Sequence, residues 1–196
     1  MKIIESKEKG RVPATMGWKW SSPVKMFLVG FLTAIMVLLL GGLAFLRLGL
    51  AEMRGDIAPP WWESRLMFSA AHSSVRRHAP EQPNPIPPTE ENLIAGGKIY
   101  LNNCAGCHGT PGKPEDDIGD SLYPPVPQLA KAGTQYTEAQ IYWVAKHGIR
   151  RTGMFANGKF VSDKELWTVA AYIKRIKELP PSVRTALEEK KQTPAN

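Results

Sequence analysis

Five consecutive residues, Cys104-Ala105-Gly106-Cys107-His108, carry the side-chain types needed to hold a porphyrin. Two thiols three positions apart reach the two vinyl groups on one edge of the macrocycle and form thioethers. The imidazole that follows turns under the ring and binds iron from one side. C-x-x-C-H is thus the attachment sequence of a covalent haem, and one copy of the motif implies one haem c. Without the histidine, C-x-x-C would allow a redox dithiol or half of a zinc site. The zinc site lacks its other half, because the chain has only two cysteines, and the dithiol lacks the βαβ pattern of a thioredoxin-like fold.

An iron held by His108 has a second axial position to fill. C-terminal to His108 there is one methionine, Met154, and one further histidine, His147. Met154 closes the stretch Gly148-Ile149-Arg150-Arg151-Thr152-Gly153-Met154, between two predicted helices, where a thioether can point inward. A thioether favours ferrous iron and raises the potential relative to two imidazoles. Met154 is the favoured ligand, against a packing role for it, and His147 reads as a helix-end histidine favoured by the dipole, with ligation as its alternative. Arg150 and Arg151 flank the loop and either pair with haem propionates or acidic partner surfaces or are simply solvated.

The elements that must position these groups read as all-α. Thr89 is placed to cap a helix from Glu90 towards Asn103. Thr137 with Gln140 forms a capping box for 138–147, which Gly148 ends. Ser162 with Glu165 opens a helix that can run to Glu178, before Pro180-Pro181. Residues 109–135 carry five prolines and no clear period; so long an irregular stretch needs something large to pack against, and a haem would supply it. About 90 residues bury only a modest core unaided, so the domain without haem is expected to be poorly folded. Residues 182–190 suit a short helix before a loose tail.

Upstream, Met26 to Leu46 is a run of 21 residues without charge, bracketed by Lys25 and Arg47. At 1.5 Å per residue it spans about 30 Å, the thickness of a bilayer core. Trp18 and Trp20 precede it at interface depth. A cleaved signal peptide would have a shorter apolar core, followed by a small-residue cleavage site. The net charge of +7 is concentrated ahead of this run, six Lys/Arg against two Glu in residues 1–25. The positive-inside rule then puts the N-terminus in the cytoplasm and the rest outside. A nucleic-acid protein would spread such charge over a folded face.

After the span, Ile57-Ala58-Pro59-Pro60 break structure, and Trp61 to His78 can form one helix, either a surface helix or a docking element for a membrane partner. Residues 80–88 hold five prolines and favour a polyproline II spacer. The expected organisation is a cytoplasmic basic N-terminus (1–25), a transmembrane helix (26–46), a juxtamembrane docking region (47–79), a proline-rich spacer (80–88), a haem domain (89–180) and a C-terminal helix and tail (181–196).

The haem domain resembles the class I c-type cytochromes, monohaem electron carriers. Gly96, Tyr100 and Cys104 match the family's first helix, Cys104, Cys107 and His108 its attachment site, Thr152-Gly153-Met154 its methionine loop, and Leu166-Trp167 with Tyr172-Ile173 its last helix. The resemblance implies that the last helix crosses the first closely, which requires a small residue such as Gly96 or Gly97. It places Tyr100 and Trp167 among the cofactor-binding residues. It also implies that the carbonyl of Pro127, in Pro127-Gln128-Leu129, or alternatively of Pro125, accepts a hydrogen bond from the His108 ring. After Met154 the chain departs from the family's usual Pro-Ala-Phe-like run, reading Phe155-Ala156-Asn157-Gly158.

The implied function is transfer of single electrons on the outer, periplasmic face of the cell (inner) membrane, without catalysis and without a small-molecule substrate. The expected partners are the lipid bilayer and an integral membrane redox complex or other electron-transfer proteins. The chain would be either a fixed subunit of a respiratory or photosynthetic complex or a tethered shuttle between complexes. A haem gas sensor or enzyme is the competing class; it needs an open iron position, against which Met154 argues.

Overall fold

The computed structural model describes residues 22–55, 57–112, 119 and 121–189, as two compact units divided after Met53. The basic N-terminal segment, with Trp18 and Trp20, lies outside the described residues. Among the described residues every regular element is helical.

In the first unit, α1 runs Ser22–Arg47 and buries no residue. A mean hydropathy of 2.5 over its apolar window and a length of 26 residues make it able to cross a bilayer. The helix includes Lys25 and Arg47, so it is longer than the uncharged run 26–46 at both ends. It ends where Gly49 takes φ +69° and the Leu50 amide donates to the Phe45 carbonyl at 3.2 Å, a Schellman closure.

The second unit contains α2 (Trp61–His78), α3 (Glu90–Asn103), α4 (Ala105–His108), α5 (Leu129–Ala132), α6 (Glu138–His147), a 3₁₀ turn (Asn157–Lys159), α7 (Asp163–Arg175) and α8 (Pro181–Glu189). The caps act as the sequence suggests. The Asn92 amide donates to Thr89 Oγ1 at 3.3 Å, and full capping boxes join Thr137 to Gln140 and Ser162 to Glu165. Each such cap contributes about 1 kcal/mol.

Helix α7 is the centre of the core. Leu166 through Ile173 are all buried, because α3 covers one side of the helix and α6 another. Fully burying a side chain such as Leu166 or Val169 stabilises by about 1.5–3 kcal/mol. Gly96 makes the α3–α7 approach possible, since a Cβ there would lie 2.5 Å from the Thr168 carbonyl oxygen and 2.9 Å from Tyr172 Cβ. Gly97 serves a different contact: its missing Cβ leaves room for Leu187 of α8.

Segments 61–78 and 80–88 both pack within this unit. Val75 of α2 is 1% exposed, His72 Nδ1 lies 2.7 Å from the Tyr136 hydroxyl, and the His78 ring stacks at 6.1 Å on Trp143 of α6. In the proline segment, the Asn84 side chain donates to Glu138 Oε2 at 2.5 Å and to the Trp167 carbonyl at 3.0 Å. Glu138 is held in turn by Arg175 at 2.6 Å. Residues 80–88 thus lie against the domain as a strap.

Candidate haem site

The segment 104–108 leaves α3 through Cys104 and forms the single turn α4. It turns sharply at Gly109, with φ +81°. A Cβ at Gly109 would meet Gln128 Oε1 at 2.5 Å. The turn is fastened from two directions. Buried Tyr100 donates its hydroxyl to the Gly109 carbonyl at 2.7 Å, with the His108 carbonyl at 3.1 Å. From the opposite loop, Gln128 Nε2 donates to the Cys107 carbonyl at 3.2 Å.

These contacts set the His108 ring. Its Nδ1 lies 3.0 Å from the Pro127 carbonyl oxygen, the first of the two expected acceptors. A carbonyl only accepts, so Nδ1 carries the proton and Nε2 keeps its lone pair. Burial holds the imidazole below its ordinary pKa, the bond to Pro127 offsetting part of the effect, so the neutral, ligating form is favoured. Burial, and then the neighbouring Cys107, push the Cys104 thiol up to about 11. A redox dithiol requires the opposite shift.

The methionine loop folds back on the end of α6. The Ile149 amide donates to the Met154 carbonyl at 2.9 Å, and Thr152 Oγ1 donates to the Ile149 carbonyl at 2.8 Å while accepting from the Met154 amide at 3.1 Å. Gly148 has φ +66°, and a Cβ on it would meet the Met154 carbonyl oxygen at 2.5 Å. Below the loop, buried Asn157 donates to the Ala145 carbonyl at 3.0 Å, its Oδ1 having no hydrogen-bond partner among the described residues. Met154 itself is half-buried.

Other predicted residues have different surroundings. Trp167 is buried and stacks on Tyr142 of α6 with ring centres 4.1 Å apart and planes 5° from parallel. Arg150 and Arg151 are exposed and make no hydrogen bond or ion pair among the described residues; Arg151 adopts φ +64°. His147 is exposed, its ring 5.1 Å from that of Trp143. Gln128, Asn157 and Asn84 were not singled out from the sequence, although Gln128 lies in the Pro-Gln-Leu segment and Asn157 three residues beyond Met154.

Residues 91–173 match the family model described as "Cytochrome C oxidase, cbb3-type, subunit III". This segment is a class I-like c-type cytochrome domain. No curated protein matches the chain. Among solved structures, a chain of the "Kuenenia stuttgartiensis reducing HAO-like protein complex Kustc0457/Kustc0458" is 24% identical, with a TM-score of 0.41. The match covers 47% of this chain and 46% of that one, so less than half of that chain's length is spanned.

A cytochrome c domain binds haem and transfers electrons. The side chains of this cytochrome domain fit such a group. The His108 imidazole, bonded to Pro127 through Nδ1, and the Met154 thioether on its hydrogen-bonded loop suit porphyrin iron, and the two free thiols three positions apart suit the vinyl groups of the ring.

Proposed function

We propose that the chain is a membrane-anchored monohaem cytochrome c that passes single electrons on the outer, periplasmic face of the cell membrane, as a fixed subunit of a larger redox complex. The observation that carries this reading is the His108–Pro127 hydrogen bond, which presents a neutral imidazole directly after the cysteine pair. Cys104 and Cys107 would form the thioethers, and His108 and Met154 would hold the iron. The bound haem supplies a reversible one-electron couple.

The chain's own residues keep the couple simple. Tyr100 and Gln128 fix the attachment turn, and the Pro127 carbonyl holds the imidazole and raises its basicity. The Ile149–Thr152–Met154 hydrogen bonds hold the sulfur-bearing loop, which favours a filled sixth position over substrate binding. Exposed Phe155 and Phe160, with ring centres 5.9 Å apart, and exposed Arg150, Arg151 and Lys159 border that loop. An apolar pair with a cationic rim suits a redox partner with an acidic rim.

Helix α1 supports anchoring, and the basic charge before it supports a cytoplasmic N-terminus. The subunit reading is supported by the matched family's description, which names an oxidase subunit, and by the strap at 80–88, which leaves little free spacer for a shuttle. The test is spectroscopic. The full chain should give the haemochrome spectrum of a haem with both vinyl groups saturated, and Met154→Ala should abolish the low-spin spectrum and let the ferrous protein bind carbon monoxide. An unchanged low-spin spectrum would remove Met154 from the iron. Mild-detergent extraction should yield the chain with other redox subunits, and migration alone would leave the shuttle.

A further inference from the structure

Helix α2 is attached to the cytochrome domain through its second half, where Val75 is buried and His72 and His78 meet Tyr136 and Trp143. Its first half carries five exposed large apolar side chains: Trp61 (78%), Trp62 (56%), Leu66 (57%), Met67 (42%) and Phe68 (51%). At 3.6 residues per turn these five point in directions all round the helix rather than along one stripe. A groove on a protein partner would cover one stripe and leave the rest wet. A medium that surrounds the helix end would cover all of them.

Such a medium is within reach. Residues 48–60 join Arg47 to Trp61, and 13 residues extend at most about 45 Å. The end of α2 is therefore confined near any bilayer that α1 crosses. Paired tryptophans have an apolar body and a polar N–H, which suit the boundary between headgroups and acyl chains. Charge adds no attraction there: Arg47, Arg54 and Arg65 balance Glu52, Asp56 and Glu63. Glu63 and Arg65 are also compatible with headgroup depth but not with the hydrocarbon interior.

We propose that the first two turns of α2, around Trp61 and Trp62, insert into the headgroup–acyl boundary of the bilayer on the side of the cytochrome domain, so that lipid covers this helix end. The inference rests on the membrane-anchored reading of α1. Because the second half of α2 packs on the domain, the insertion would hold the haem-binding unit against the surface instead of letting it swing on residues 48–60.

The test uses the full-length holoprotein in its native membrane, with p-benzoylphenylalanine in place of Trp62 or, as a control on the exposed second half, of Ser73. Illumination should give lipid adducts at position 62 in about tenfold excess over position 73, and high salt should not reduce them. Equal yields at the two positions, or a protein adduct at 62, would overturn the proposal. The anchor is judged separately: a chain released by carbonate washing refutes the membrane reading, whereas a chain that is retained without lipid adducts at 62 refutes only the insertion of α2.

Discussion

The Tyr100 hydroxyl donates to the Gly109 carbonyl oxygen at 2.7 Å, so the last full turn of α3 holds the far end of the cysteine–histidine segment. The contact spans nine residues and crosses the whole attachment turn. Tyr100 is fully buried, and burial raises its pKa far above the ordinary phenol value, so the hydroxyl is a protonated donor at neutral pH. Tyr100→Phe leaves two carbonyls poorly satisfied and should lower stability by about 1–3 kcal/mol. Denaturant unfolding of the holoprotein, followed by haem absorption, measures it. The low-spin spectrum at zero denaturant should persist, since neither proposed axial ligand is removed.

Gly148→Ala should act on the methionine loop. At φ +66° and ψ −172° the backbone is in a region essentially reserved for glycine, which costs an alanine about 1–3 kcal/mol, and the new Cβ also presses on the Met154 carbonyl and the Phe155 backbone. The expected outcome is a ferrous protein that binds carbon monoxide where the parent does not, with the attachment to Cys104 and Cys107 intact by mass spectrometry. Failure to bind carbon monoxide would show that the loop absorbs the change.

Glu138 links the strap to the domain, meeting Asn84 on one side and Arg175 on the other. Glu138→Ala removes both bonds, and with the arginine partly exposed the loss should be about 1–2 kcal/mol. Limited proteolysis provides the local readout: cleavage within 80–88 should accelerate, whereas cleavage elsewhere should follow only the global destabilisation.

The first turn of α7 predicts an acid-sensitive contribution. Hydrogen bonds from Ser162 hold the Glu165 carboxyl below its ordinary pKa, and the Lys146 ammonium does the same for Asp163. A depressed folded-state pKa stabilises above the unfolded value, near 4, and that contribution is lost as pH falls through the folded value. Glu165→Gln should therefore lower the melting temperature at neutral pH, and the gap from the parent should narrow as pH falls from about 5 to about 3. A gap independent of pH would show that the cap acts through geometry alone. Lys146 contributes with the opposite sign: its raised pKa makes its share of stability disappear only in strong alkali.

Much of the architecture was legible because its signals are local. Thr137 with Gln140 and Ser162 with Glu165 are capping boxes in the sequence and in the structure, and α2 and α6 have the boundaries their flanking prolines, threonine and glycine suggest. The last core helix stops at Arg175, short of the expected Glu178, because its final residues pass into a turn before Pro180. The four-residue α5 had no period to display. Proline content at 80–88 indicates a stiff backbone and says nothing of Asn84 reaching Trp167 and Glu138, so the strap's attachment is not legible in the sequence. At the proposed site, the spacing of Cys104, Cys107 and His108 can be read directly because the three residues share one five-residue motif. The support from Gln128 and Asn157 is tertiary, since their partners lie 21 and 12 residues away.

The glycine contacts on α3 bear on timing during synthesis. Gly96 awaits Thr168 and Tyr172, and Gly97 awaits Leu187, partners that emerge roughly seventy to ninety residues later. Until those residues have been made, the helix leading into Cys104 lacks its contacts with α7 and α8. The cysteine pair is therefore synthesised, and on the proposed reading its thiols are open to haem attachment, before α7 and α8 can close on the helix that leads into it.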